Sequence, residues 1–166
     1  MYEPGIIYQR SPEENRDMFL AWQRDDKAFF ASGACHILAH MFLSLHYGEG
    51  CELIYIKPKG DYPGNHMYAS NGTWAFDFNG WVLEEELLEG HEAAYKQAYP
   101  GWEYERVVIK EGLPAYIAAG NHHVRPPEYF PELPWKRAYE YIKRFPVEPP
   151  GESEQMAVVE SKFNER

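Results

Sequence analysis

An α+β fold, with N-terminal helices packed on a mainly antiparallel sheet, follows from three features of the sequence. Residues 28–48 contain no Asp, Glu, Lys or Arg and read as a buried helix. Asn71-Gly72 sits between two short runs of alternating side chains, the strongest local signal for a β-hairpin. The helical segments also precede the block of strands instead of alternating with it, which argues against a parallel sheet.

Each element has its own signature. Arg16 to Phe30 predicts a first helix, with Phe19, Leu20, Trp22 and Phe29 as its apolar residues. Ser32-Gly33 interrupts it, and a second helix is expected from Gly33 to about Tyr47, with Ser32 as N-cap and Gly48 as the stop. Cys35, Leu38, Ala39, Phe42 and Leu45 follow the three-and-four spacing of one buried face. Cys51–Lys57, His66–Ser70, Thr73–Phe78 and Trp102–Lys110 read as strands, and Val82 to about Tyr99 as a helix. Residues 111–134 hold five prolines and two glycines and predict loop wrapped on the surface. Trp135, Ala138, Tyr139, Ile142 and Phe145 mark a last amphipathic helix. After Pro146 the composition turns to Pro, Glu, Ser and Gly, so a single domain over 1–146 and a mobile tail over 147–166 are expected.

Composition narrows the function. The chain has 166 residues, 45% hydrophobic and 16% aromatic, enough to build a core and too apolar for a wholly disordered protein. With 16 basic and 26 acidic side chains the net charge is −10, which repels phosphate backbones and anionic lipid, so neither nucleic acid nor membrane is an expected partner. The uncharged 28–48 stretch is long enough for a bilayer, but His36, His40, His46, Ser32 and Ser44 are expensive in hydrocarbon. No basic stretch followed by an apolar run opens the chain, so no signal peptide is expected, and a cytoplasmic location with reduced thiols is. Two cysteines are too few for a disulfide framework or a Cys-rich zinc site. The acidic surface points to neutral or basic substrates.

A two-residue Asn71-Gly72 turn pairs Ser70 with Thr73 and, four steps on, sets His66 opposite Asp77, with Cβ atoms about 4.5–5.5 Å apart. Met67, Ala69, Trp74 and Phe76 then share one face, and His66, Tyr68, Ser70, Thr73 and Asp77 the other. A carboxylate beside an imidazole fixes its tautomer and favours its cation, as a general base requires. Cys35 falls in the first turn of its helix, where the dipole and unpaired N–H groups favour a thiolate and can stabilise an oxyanion. Nucleophile, base and orienting carboxylate together make the triad logic in its thiol form.

Gly33-Ala34-Cys35 with Leu38-Ala39 behind it, then a strand, His66, a hairpin, Trp74 and Asp77, resembles the core of the transglutaminase-like branch of papain-like cysteine enzymes. The likeness spans roughly residues 30–80. It implies a papain-like, transglutaminase-like fold in which Cys35 is the nucleophile, His66 the base and Asp77 the orienter. Asn79 is the alternative orienter. The implied activity is hydrolysis or acyl transfer on an amide of a peptide, protein or small molecule, with no cofactor. Tyr68, Trp74, Trp81 and the 111–134 loop are candidates to line a substrate cleft.

Competing readings attach to several residues. Cys35 on an apolar helix face can be a small core filler, and the domain a catalytically idle peptide or protein binder. His36 and His40, four apart, have metal-ligand spacing, which opens a metal-binding reading, although the HExxH pattern is absent. Cys51 reads as structural, His46 and His91 as surface or helix-end residues, and His122-His123 as a loop pair that is either solvated or lines a pocket. Glu84-Glu85-Glu86 reads as a solvated face near a helix start.

Overall fold

The computed structural model describes residues 1–46, 50–151, 162 and 164. Its N-terminal region breaks where a single helix over 16–30 was expected. α1 (Pro12–Arg16), α2 (Met18–Trp22) and α3 (Asp26–Ala31) replace it. Each start is capped by a side chain: Ser11 forms a capping box with Glu14, Asp17 accepts from Phe19 N at 2.9 Å, and Asp25 from Ala28 N at 2.9 Å. Such caps satisfy orphan N–H groups locally and so compete with continuing the helix through those positions.

α4 (Cys35–Leu45) is the central helix. Ser32 is not its N-cap, as expected from the sequence, but the C-cap of α3. Ala34 precedes α4 and offers no side chain to cap it. Ile37, Leu38, Ala39 and Phe42 are buried, whereas Leu45 emerges at the helix end. The expected stop at Tyr47-Gly48 lies outside the described residues.

β1 (Glu52–Pro58), β2 (His66–Ser70), β3 (Trp74–Asp77), β4 (Gly80–Leu83) and β5 (Tyr104–Val108) form an antiparallel sheet in the order β4-β3-β2-β1-β5. The class is α+β. Val82 and Leu83 pair with Ala75 and Trp74 instead of opening the next helix, because a tight turn at Phe78-Asn79 folds the chain back. Asp77 Oδ1 accepts from Asn79 N at 2.8 Å, and Gly80 supplies a φ of +80°. α5 (Glu84–Ala98), α6 (Leu113–Ala118) and α7 (Trp135–Ile142) complete the regular structure. The 111–134 stretch thus contains a short helix, anchored by buried Leu113, where loop was expected.

Strand alternation divides the core. Leu53, Tyr55, Met67, Ala69 and Phe76 face α4 with α6 and α7, and Phe42 stacks on Phe76 at 4.2 Å. Ile54, Ile56, Tyr68 and Ala75 face α5 through Leu87 and Tyr95. Each fully buried large side chain stabilises the fold by about 1.5–3 kcal/mol. Glu84, expected on a solvated face, is buried. It accepts from Tyr68 Oη at 2.7 Å, Ser70 Oγ at 2.5 Å and Arg106 Nε at 2.7 Å, which supplies the partners a buried carboxylate requires. The tail from 147 on is described only to 151 and at 162 and 164, so its expected mobility lies mostly outside the described residues.

Candidate active site

The hairpin register differs from the expected one by two residues. Ala69 pairs with Phe76 and Ser70 with Ala75, so Gly72-Thr73 is the centre of the turn, not Asn71-Gly72. The cause is the Asn71 carboxamide, whose Oδ1 accepts from Thr73 N at 2.9 Å and Trp74 N at 2.7 Å. Side chains alternate with a period of two, so the shift keeps every residue on its face and changes only who stands opposite whom. Asp77 is therefore a diagonal neighbour of His66, still within reach on the same face.

The contact forms across that diagonal. His66 Nε2–H donates to Asp77 Oδ2 at 3.0 Å, with both side chains almost fully buried. Asp77 is held on all sides: Tyr2 Oη donates to Oδ2 at 2.7 Å, and Asn79 donates to Oδ1 from N at 2.8 Å and Nδ2 at 3.2 Å. Asn79, the alternative orienter, thus bonds the carboxylate and not the imidazole. With Nε2 committed, Nδ1 is the His66 nitrogen available to the thiol.

Cys35 is the first residue of α4 and lines the same cavity of about 240 Å³ as His66. Burial pushes its thiol up, but the imidazoles of His36 and His66 more than offset this and bring it down to about 5. His66 moves the opposite way. Burial opposes its cation, yet Asp77 and the Cys35 sulfur hold it and raise it to about 10. The arrangement favours a thiolate–imidazolium pair between those limits. No side chain caps α4, so the N–H groups of its first turn remain available to an anion beside the sulfur.

Residues outside the expected triad surround the site. His91 is buried against His66, ring centroids 5.7 Å apart, and is not the surface or helix-end residue expected. Its Nε2–H donates to Gly64 O at 2.7 Å, and burial followed by the nearby His66 charge lowers it to about 3, so it stays neutral. His36 Nε2–H donates to Arg125 O at 2.7 Å, while His40 lies against Trp135 at 5.4 Å. The two rings of the metal reading therefore face different partners, and among the described residues no cluster of three potential ligands forms. His122 and His123 are exposed, as expected of a loop pair, and His123 also stacks on Tyr55 at 4.7 Å and lines the cavity with Val124 and Arg125.

The aromatic candidates need correction. Tyr68 is sealed inside the sheet with its hydroxyl on Glu84, and Trp74 is buried against the opposite side of the hairpin. Trp81 packs on Phe42 and Phe76 and donates Nε1–H to Pro146 O at 3.0 Å. None of the three lines the Cys35 cavity. Its polar walls come from residues without local sequence signals: Gln9, Arg10 and Asn15 from the N-terminal segment, Asn65 before β2 and Arg125.

Gly33 explains how Arg10 fits. With φ +101°, the backbone passes so close that an added Cβ would lie 2.0 Å from Arg10 Nη2. Gly33→Ala is expected to lose about 1–2 kcal/mol from the left-handed backbone and to displace the guanidinium. A urea midpoint equal to wild type would contradict this.

Compared with protein-family models, curated proteins and solved structures, the chain matches none. Among the described residues no helix is long and apolar enough to cross a membrane.

Proposed function

We propose that this protein is a papain-like, transglutaminase-like cysteine enzyme that hydrolyses an amide or thioester or transfers its acyl group. The observation that carries the reading is that Cys35 and His66 line one cavity while Asp77, behind the imidazole, accepts from His66 Nε2–H at 3.0 Å. The chain order of the three residues and the cysteine-bearing helix packed on an antiparallel sheet support the same assignment.

In this reading the Cys35 thiolate attacks the carbonyl carbon, and the first-turn N–H groups of α4 receive the developing oxyanion. His66 gives its Nδ1 proton to the departing amine as the tetrahedral intermediate collapses, leaving an acyl-thioester on Cys35. Water or an acceptor amine then loses a proton to His66 while adding to the thioester, and collapse releases product and restores the ion pair. Asp77 fixes the ring and stabilises its cation throughout. Free thiols at Cys35 and Cys51 suit a reducing, cytoplasmic setting.

Exposure to p-nitrophenyl acetate followed by intact-mass and peptide analysis tests the proposal. An acyl adduct on Cys35, absent in Cys35→Ser and discharged by water or an added amine, is the expected result. Acetylation confined to lysines or Cys51, or equal in Cys35→Ser, would overturn it.

A further inference from the structure

The cavity around Cys35 carries a charge opposite to that of the whole protein. Of 26 acidic side chains, none of those described lines it, whereas Arg10 and Arg125 do. Neither arginine forms an ion pair among the described residues. Arg10 Nε and Nη2 and Arg125 Nη1 are shut off from solvent without a hydrogen-bond acceptor. Both residues are half-buried, and each N–H shut off from water with nothing to accept from it is left at a cost.

Both arginines are also held in place beside the sulfur. Arg10 lies over the bare backbone of Gly33, two residues before Cys35, where no other residue type leaves room. Arg125 is tied by its carbonyl to His36, the residue after Cys35, and its guanidinium lies 5.0 Å from the Tyr129 ring centre. The Cys35 thiolate, the His66 imidazolium and the Asp77 carboxylate behind it sum to −1, so the two arginines leave a net charge of +1. Asp77 is turned away from the cavity, and an acceptor for the two guanidinium groups is left to what enters it.

We propose, building on the acyl-transfer reading above, that the substrate bears a carboxylate near the scissile carbonyl, bound by Arg10 and Arg125. Arginine suits this task because its planar fork matches a carboxylate and never loses its proton at physiological pH. The expectation of neutral or basic substrates, drawn from the net charge of −10, thus fails at the site itself. A cavity of about 240 Å³ admits a short group, not a folded acidic surface, so the carboxylate belongs to a short group close to the reacting carbonyl.

Iodoacetate and iodoacetamide separate this proposal from the one beneath it. Both reagents lose iodide as the thiolate forms a C–S bond, and they differ in having a carboxylate or a neutral amide. Native protein is labelled with each at pH 7 and low salt, and Cys51 serves as the internal reference. The expected iodoacetate-to-iodoacetamide rate ratio is about tenfold higher at Cys35 than at Cys51, and added acetate or salt lowers it. Arg10→Gln and, independently, Arg125→Gln each reduce the Cys35 ratio by about fivefold to tenfold. Equal ratios at the two cysteines, unchanged in both variants, would overturn the carboxylate proposal even where Cys35 reacts rapidly with iodoacetamide. Slow iodoacetamide labelling of Cys35 with an ordinary thiol pH profile would instead overturn the nucleophile reading. The His66 imidazolium also favours iodoacetate at Cys35, so the arginine variants decide, and because the two are made independently, misfolding of one leaves the other to carry the test.

Discussion

Iodoacetamide is expected to alkylate Cys35 of the native protein with a pH midpoint near 5, and His66→Ala to move that midpoint toward the ordinary thiol value of about 8.5. The sign follows from the ion pair. The Cys35 proton leaves at low pH because the resulting thiolate faces the His36 and His66 rings, and without His66 only His36 is left to offset the burial of the sulfur. At pH 5.5 the variant holds about a thousandth of its cysteine as thiolate. A thiolate of higher pKa is intrinsically more nucleophilic, by a Brønsted slope of about 0.4–0.5, which restores part of the rate. The net expectation is a loss of about tenfold or more at pH 5.5, curves that cross near pH ~7, and a faster variant at pH 9. That crossing distinguishes the ion pair from loss of structure, which would raise or lower labelling without reversing its order. Parallel profiles for wild type and His66→Ala would end the assignment of His66 as the partner of Cys35.

How much of this was legible in the sequence depends on the range of the interactions involved. The two faces of the hairpin followed from alternation alone, because parity is a local property of the strand. The register did not, because the Asn71 carboxamide captures two backbone N–H groups and moves the turn centre by one residue, hence the pairing by two. The His66–Asp77 contact survived only because a shift of two keeps parity and a diagonal neighbour lies within reach. Cys35 at a helix start was readable from Ser32-Gly33, yet the cap was misassigned: Ser32 closes the preceding helix and leaves α4 open. The segmentation of residues 12–31 was written in Ser11, Asp17 and Asp25, strong N-cap residues outweighed in the reading by the apolar pattern between them. Tyr2, Arg10 and Arg125 carry no local signal at all. Arg10 and Arg125 reach the cavity, and Tyr2 the carboxylate behind His66, through tertiary packing across a large part of the chain, and their roles become visible only when Tyr2 meets Asp77 and Arg10 meets Gly33.

The same buried carboxylate predicts an unequal effect of a small change. In Asp77→Asn one oxygen becomes an NH2 group, and four donors no longer all find acceptors. The amide nitrogen cannot take the Oδ1 position, because the Asn79 backbone N–H there has no alternative but to donate. It must take the Oδ2 position, where Tyr2 can turn its hydroxyl and His66 can change tautomer. His66 then accepts at Nε2 and carries its proton on Nδ1, the nitrogen that should receive the thiol proton. Hydrogen bonds to charged groups contribute about 1.5–3 kcal/mol each, so with partial rearrangement a stability loss of about 2–4 kcal/mol is expected from urea unfolding. Catalysis suffers far more. A misplaced tautomer lowers acyl transfer by about a thousandfold or more, and the Cys35 alkylation midpoint rises because the imidazolium has lost its counter-charge. A variant that loses stability but keeps its alkylation midpoint near 5 would show that Asp77 holds the fold together through Tyr2 and Asn79 and has no part in setting the charge of His66.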